Sequence, residues 1–309
     1  GSFGFIRKIH RKSDERVRGH CASCHLQLTE WKSNMAKCAK TKCGILFELR
    51  HPNIVRYYER FVDRADAKIY IIMEWCEGGD LAGIIKQCKK ENKRIPEDVV
   101  WNLLTQLLLA LHECHHGNSS GSSAGSSIGS SGSSDAGSKS HPTILHRDIK
   151  PDNVFLDGAQ NVKLGDFGLS RIISNPEIDF AKTFVGTPFY MSPELVSETS
   201  YNTKSDIWAL GCLIYELCAL EPPFQSKTQA GLTQKIRMGK IEPLPPQYSG
   251  ELTATIKAML NINHMKRPST SEFLKLHRVR LCIKERGMYV HLQNLPIRIE
   301  YLQFKFLLL

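Results

Sequence analysis

His146-Arg147-Asp148-Ile149-Lys150-Pro151-Asp152-Asn153 carries a carboxylate, an amine two positions on and a carboxamide five positions on. Thirteen residues after Asn153, a second carboxylate opens Asp166-Phe167-Gly168. The first run has the form H-R-D-x-x-x-x-N and the second the form D-F-G. Two carboxylates on separate segments suit the transfer of a phosphoryl group. One accepts the proton of the attacking hydroxyl, and the other holds Mg²⁺ against the β- and γ-phosphates, where charge must be neutralised as the group moves. Asp148 suits the first part and Asp166 the second. Asn153 suits a further Mg²⁺, and Lys150 places a positive charge beside the transferring group. A lone H-R-D tripeptide can arise in any loop, whereas the two motifs in this order form a specific signal.

These side chains need ordered elements on both sides. Apolar positions recur at helical spacing over residues 97–116, at Val99, Val100, Leu103, Leu104, Leu107, Leu108 and Leu111, which predicts a long helix. Thr143–Phe155 is a compact apolar and charged segment holding the first motif. Between them lie residues 117–140, in which Ser and Gly fill 18 of 24 positions. So little apolar surface cannot offset the entropy of ordering, and the stretch reads as a flexible surface insertion within one domain. Asn53–Tyr58 and Lys68–Glu74 have the β-branched and aromatic content of strands, while Ser205–Leu220 and Leu252–Leu260 read as helices. Strands early and helices late predict an α+β chain.

The ordered pair of motifs resembles the catalytic core of a protein kinase, and further residues extend the resemblance in the same order. Gly186-Thr187-Pro188 and Ser192-Pro193-Glu194 resemble the substrate-positioning loop and the A-P-E element, with Ser in place of Ala. Ser205-Asp206-Ile207-Trp208-Ala209-Leu210-Gly211 resembles the core helix whose aspartate anchors the catalytic loop. Arg267 matches the arginine that pairs with the A-P-E glutamate, here Glu194. Tyr70 to Leu81 reads as a strand entering a hinge, with Met73 as gatekeeper and the backbone at Glu74 and Cys76 against the adenine. Asp80 joins the expected ATP-binding set. Three phrases, L-R-H-P-N-I-V-R-Y-Y at 49–58, M-E-W-C-E-G-G-D-L at 73–81 and A-K-T-F-V-G-T-P-F-Y-M-S-P-E at 181–194, are similar to NIMA-related kinases. The insertion before the catalytic loop is similar to the fungal branch.

The resemblance covers about residues 1–14 and 44–285. It implies a two-lobed fold, with a strand-rich N-lobe and hinge over 1–81, a helical C-lobe over 82–285, and an unassigned stretch at 286–309. It also implies ATP with Mg²⁺ as cofactor, transfer to protein serine or threonine, and a role in mitosis. Thr183 aligns with the threonine phosphorylated in the activation loop, and a phosphate there adds about −1.5 to −2 charge that Arg147 would meet. Thr187 is a second regulatory position. Location in nucleus and cytoplasm, and homodimerisation through segments not present here, are implied in the same way.

The beginning departs from the family. Gly1-Ser2-Phe3-Gly4 supplies only the last two glycines of a G-x-G-x-x-G loop, with Ile6 expected over the adenine. Such kinases place a strand lysine about twenty residues further on, to hold the α/β-phosphates, and orient it with a helix glutamate. Counting brings the lysine position to Cys24 or His25 and the glutamate position to Lys42; Lys32 is the lysine in the most similar context, several residues late. Residues 15–43 show neither strand alternation nor a helical stripe, although their number fits the family. Three readings compete. Cys21, Cys24, Cys38 and Cys43 could hold zinc, although their spacing fits poorly. The chain could be a pseudokinase, a scaffold with an intact C-lobe and impaired phosphotransfer. The favoured reading is a shifted frame, because family-like length with foreign composition between matched flanks is what compensating frameshifts leave.

Composition narrows the partners. The 309 residues are 41% hydrophobic, which excludes wholesale disorder. Net charge is +10, but residues 1–18 hold six Lys/Arg against two acids and residues 275–309 seven against two, leaving 28 against 27 between. Charge gathered at two ends is not the basic face of a nucleic-acid binder, so nucleic acid is not an expected partner. No run approaches the roughly 18 apolar residues that cross a membrane. The ten cysteines do not read as a disulfide framework, given the soluble intracellular chain expected. Leu274–Arg286 resembles the last helix of the C-lobe. Beyond it Ile297–Tyr301 alternates like a strand, and Phe304–Leu309 forms an apolar, aggregation-prone end.

Overall fold

The computed structural model describes residues 5–10, 20–27, 49–63, 68–117, 143–166, 171–173, 188–197 and 201–293. Its first part is an antiparallel sheet of four strands, β1 (Phe5–His10), β2 (His20–Gln27), β3 (Tyr57–Asp63) and β4 (Lys68–Glu74), in the order β1-β2-β4-β3. β4 lies where the sequence predicts it, because K-I-Y-I-I-M-E is rich in the branched and aromatic residues that pack on a pleated surface. β3 begins at Tyr57, later than the predicted Asn53–Tyr58. Residues before it are drawn away from the sheet: Ile54 bridges Leu164 in parallel, and Leu164 N donates to Asn53 O at 2.8 Å.

β2 corrects the sequence reading of residues 15–43. His20-Cys21-Ala22-Ser23-Cys24-His25-Leu26-Gln27 lacks an alternating apolar pattern, yet its backbone pairs with β1 on one side and β4 on the other. A strand between two strands gains ladder bonds along both edges whatever its side chains, so tertiary position overrides composition. Residues 28–48, with Lys32, Cys38, Lys42 and Cys43, lie outside the described residues.

The second part is helical. α1 (Leu81–Glu91) starts at Asp80, whose carboxylate accepts from Gly83 N at 2.7 Å, and stops at Asn92 in the left-handed region. α2 (Glu97–His116) follows Pro96. It carries Glu97 and Asp98 in its first turn, charges that suit the N-terminal end of the helix dipole. Its predicted apolar stripe is largely buried: Val100, Leu104, Leu107, Leu108 and Leu111 are fully enclosed. Thr143 Oγ1 donates to His115 O at 3.2 Å, so the segment leaving α2 returns beside its own departure point. The Ser/Gly stretch between lies outside the described residues beyond Gly117.

Two short two-stranded sheets follow: β5 (Thr143–Leu145) pairs with β8 (Arg171–Ile173), and β6 (Val154–Leu156) pairs with β7 (Val162–Leu164). After α3 (Pro193–Val196) comes α4 (Thr203–Ala219), closed at its start by a capping box in which Lys204 N donates to Asn202 Oδ1 and Asn202 N to Ser205 Oγ. α4 is apolar all round and is the centre of the core, with Ile207, Trp208, Leu210, Leu213, Ile214 and Leu217 buried. α5 (Gln229–Met238), α6 (Gly250–Met259), α7 (Thr270–Phe273) and α8 (His277–Gln293) complete this lobe. Gly211 lets α6 approach α4: a Cβ there would stand 2.7 Å from Met259 Cβ. α8 continues past Arg286, so part of the unassigned stretch is helical; residues 294–309 lie outside the described ones. The architecture is the two-lobed α+β arrangement that the motifs imply. No helix among the described residues is long and apolar enough to cross a membrane.

Candidate active site

The loop holding Asp148 runs from β5 to β6 and is pinned from below by one buried carboxylate. Asp206, in the first turn of α4, is fully buried. Its Oδ2 accepts from His146 N at 3.1 Å and lies 2.8 Å from His115 Nε2; its Oδ1 accepts from Arg147 N at 3.0 Å and Tyr201 OH at 2.5 Å. Burial alone would push this carboxyl up, but donation from His115, with His146 and Tyr201, holds it below the usual carboxylate range. Arg147, at φ +69°, adopts a left-handed conformation that costs an ordinary residue about 1–2 kcal/mol. The bond from its amide to Asp206 helps to hold it there.

Asp148 stands at the centre of the loop. Lys150 Nζ donates to its two oxygens at 3.2 and 2.9 Å, and Asn153 Nδ2 donates to its Oδ2 at 2.8 Å and its backbone O at 2.7 Å. Lys150 and Asn153 are both buried. Their spacing follows from the turn of 3₁₀ helix at Pro151–Asn153, which brings the carboxamide back over the aspartate.

His146 joins this loop to the segment carrying Asp166. It is fully buried, and burial pushes its pKa down against the pull of Asp206 and Asp148. A neutral imidazole has one donor and one acceptor, and both are used: Nε2 donates to Gly165 O at 3.0 Å while Nδ1 accepts from Asp148 N at 3.3 Å. Gly165 N in turn donates to Asn153 O at 2.9 Å. Gly165 must lack a side chain, because a Cβ would come within 2.8 Å of the Phe155 ring and 2.9 Å of Val55 Cγ2. Asp166 follows at φ +52°. The predicted set Asp148, Lys150, Asn153 and Asp166 is thus carried by one bonded loop-and-hairpin unit.

The N-lobe sheet decides between Cys24 and His25. Cys24 pairs with Ile6 on β1 and Ile71 on β4, and Ala22 pairs with Met73. Directly paired residues share a face, and residues two apart share it too. Cys24 therefore occupies the face of Ile6 and Met73, the two positions expected to border the adenine, and His25 the opposite one. Of the two residues that counting brings to the lysine position, Cys24 is the one paired with Ile6. Cys21 and Cys24 lie on β2, while Cys38 and Cys43 are outside the described residues. Among the described residues no three His, Cys, Asp or Glu side chains are grouped to hold a metal.

At the end of β4, Glu74 N donates to Arg56 O at 2.8 Å, while its carboxylate accepts from Arg56 N at 3.1 Å and pairs with Lys163 at 2.7 Å. Burial, helped by Glu74, pushes the Cys76 thiol up to about 12, so it stays protonated. Gly78 N donates to Leu156 O and Leu156 N to Gly79 O, both at 2.9 Å, tying the connector to β6 directly after Asn153. The expected ATP-binding residues Met73, Glu74, Cys76 and Asp80 thus line one path bonded to the catalytic loop, and the Asp80 carboxylate caps α1. Gly1, Gly4, Thr183 and Thr187 lie outside the described residues.

For Mg²⁺ the donor chemistry fits. The Nδ2 of Asn153 is committed to Asp148, which leaves an amide oxygen, and Asp166 adds a carboxylate; hard oxygen ligands of this kind suit Mg²⁺. Below the site, Arg267 grips Glu194 and lies over Trp208, and Tyr190 OH donates to Glu216 at 2.5 Å. Sequence reasoning missed His115, Tyr201, Asn53 and Gln106. Gln106 left a trace: it is a polar residue inside the apolar run of α2.

The chain matches known proteins over most of its length. The protein kinase domain family matches residues 1–120 and 138–278, passing over the Ser/Gly stretch. The chain is 50% identical over 275 residues to the serine/threonine-protein kinase Nek2 of Homo sapiens, covering 89% of this chain and 56% of that protein. It is 45% identical over 309 residues to the G2-specific protein kinase nim-1 of Neurospora crassa (98% and 35% covered) and 44% over 299 residues to nimA of Emericella nidulans (96% and 41%). The chain spans about half the length, or less, of these curated relatives. With the H-R-D and D-F-G segments bonded to each other through His146 and Gly165, and with these relatives, the chain belongs to the protein kinase family, in its NIMA-related branch.

Proposed function

We propose that this chain transfers the γ-phosphoryl group of ATP to serine or threonine hydroxyls of protein substrates. The observation that carries the reading is the Asp148 carboxylate held between Lys150 and Asn153 on a loop anchored to Asp206. Asp148 accepts the proton of the substrate hydroxyl, and Lys150 offsets the negative charge of the group in transit. Asn153 and Asp166 are the residues that would hold Mg²⁺, which when bound neutralises the phosphate oxygens. Met73, Glu74, Cys76 and Ile6 border the adenine, with Gly1 and Gly4 toward the phosphates. Arg147, Thr183 and Thr187 form the regulatory set, in which a phosphate on Thr183 meets the Arg147 guanidinium.

The names of the relatives, G2-specific kinases among them, support a role in cell-cycle control. Residence in nucleus and cytoplasm, and dimerisation, are proposed on the family resemblance alone. The boundaries 1–81 and 82–285 are proposed for the lobes. Cys24 at the lysine register position favours slow turnover and keeps the scaffold reading as the second one. Phosphotransfer from labelled ATP to a basic protein substrate, by this chain and by Asp148→Asn, tests the first. Activity abolished by the substitution is expected; equal signals from both chains, or none from either, would overturn it.

A further inference from the structure

β6 and β7 form a hairpin with both proposed metal-binding side chains at its open end. Asn153 immediately precedes β6, Asp166 stands two residues past β7, and the Gly165 N to Asn153 O bond closes the mouth. Each strand has three residues, and so small a hairpin has little stability of its own. Its geometry depends on what grips it elsewhere.

The grip is a chain of hydrogen bonds reaching the last helix. At the closed end, Asp157 Oδ1 accepts from Ala159 N at 2.9 Å and Asn161 N at 2.8 Å, and its Oδ2 accepts from Asn161 Nδ2 at 3.1 Å. The remaining Asn161 oxygen accepts from one arm of Arg286 at 2.9 Å. The other arm donates to Asn102 Oδ1 at 2.9 Å, which also accepts from Gln106 Nε2 at 2.7 Å. Gln106 is 1% exposed, and its oxygen accepts from Val162 N and Asn53 Nδ2, both at 2.8 Å. Asn53 donates to Val162 O at 3.0 Å and accepts from Leu164 N at 2.8 Å.

We infer that Arg286, on α8, is a positioning residue for Asn153 and Asp166: its fork holds the turn of the hairpin and the Asn102–Gln106–Asn53 relay in one frame, so the last helix tunes the affinity for the divalent cation. The inference rests on the reading of Asn153 and Asp166 as metal-binding. A planar guanidinium spans two acceptors in fixed geometry, which an ammonium does not. A tether that merely fastened α8 to the domain would affect stability alone.

The test uses the full chain and two readouts that need no turnover. The first is the Mn²⁺ concentration giving half-maximal binding of a fluorescent ATP analogue; the second is amide exchange at Val162, Leu164 and Gly165 without nucleotide. Arg286→Leu is expected to raise the Mn²⁺ midpoint on the order of 10-fold, as loss of an outer-shell partner does, and to speed exchange at all three amides. Arg286→Lys should fall between. Asn161→Ala should reproduce the shift, and the double variant should add little to either single one. An unchanged midpoint, or faster exchange confined to α8, overturns the inference. If Asp166→Asn leaves the Mn²⁺ dependence unchanged while the nucleotide still binds, the metal reading itself fails. If Asp166→Asn shifts it and Arg286→Leu does not, only the positioning role fails. Should the chain bind no nucleotide, the exchange readout decides alone, and unchanged exchange in β7 overturns the role of Arg286.

Discussion

Arg267 and Glu194 meet inside the helical lobe through two parallel bonds of 2.7 Å, with the guanidinium 4.9 Å from the Trp208 ring centroid. Every arm is occupied, since Arg267 Nε donates to Asn261 O at 2.6 Å and NH1 also to Lys204 O at 3.0 Å, while Ser205 Oγ donates to Glu194 at 2.6 Å. Burial would push the Glu194 carboxyl up, but Arg267 holds it below its usual range. Removing one partner strands the other charge. Arg267→Leu is therefore expected to cost about 3–5 kcal/mol in denaturant unfolding. The contribution of Glu194 is present above its unfolded pKa and lost as pH falls through its lower folded one.

Asp206→Asn replaces an acceptor of four donors by a group with one acceptor oxygen. The amides of His146 and Arg147 then lose part of their anchor. A displacement of about 1 Å at Asp148 corresponds to a fall in kcat on the order of 10²-fold. Steady-state kinetics check it, with KM for ATP changing much less.

Cys24→Lys returns a cation to the face of β2 that carries Ala22 opposite Met73. An increase in kcat/KM for ATP on the order of 10²-fold is expected, the scale of one electrostatic contact to a transferring phosphoryl group. His25→Lys, on the other face, should give no gain.

Burial, helped by Lys163, lowers the His51 pKa to about 4, and His51 Nδ1 accepts from Asn53 N at 3.1 Å. Between that value and the ordinary histidine value of about 6.5, the unfolded chain binds a proton that the folded one refuses. Stability accordingly rises with pH across this window and declines as pH falls through it. An NMR titration should place the midpoint of the His51 ring near 4; a midpoint near the ordinary value would contradict the environment described.

Ser192, where the family pattern has alanine, is buried, and its hydroxyl has no hydrogen-bond partner among the described residues. An orphaned buried hydroxyl costs about 1–3 kcal/mol. Ser192→Ala should raise the thermal midpoint by a few degrees, about 2–4 °C per kcal/mol for a chain of this size. A lower midpoint would mean that the hydroxyl is bonded in solution.

Much of the site is legible in the sequence because its chemistry is local: Asp148, Lys150 and Asn153 lie within one turn of chain, and α2 and α4 announce themselves by their apolar runs. β2 is illegible for the opposite reason. Its ladder bonds belong to β1 and β4, and residues such as Cys24 contribute no pattern of their own. Gln106 and Asn53 read as ordinary polar residues until the fold brings positions 53 apart within 2.8 Å. Asp80 carries a structural part that its motif did not announce, since one of its carboxylate oxygens accepts from the amide of Gly83 at the start of α1.

The 3.2 Å bond from Thr143 Oγ1 to His115 O brings together the two edges of a seam in the chain. With the edges this close, the length of whatever joins them is a small term, about 0.6 kcal/mol for each doubling of a loop. The family match stops at residue 120 and resumes at 138, so the stretch between lies outside what the family shares. The seam is accordingly a natural place to open the molecule. A circular permutant that begins at Thr143, or a reporter domain spliced in between, would leave the anchoring of Asp148 by Asp206 untouched.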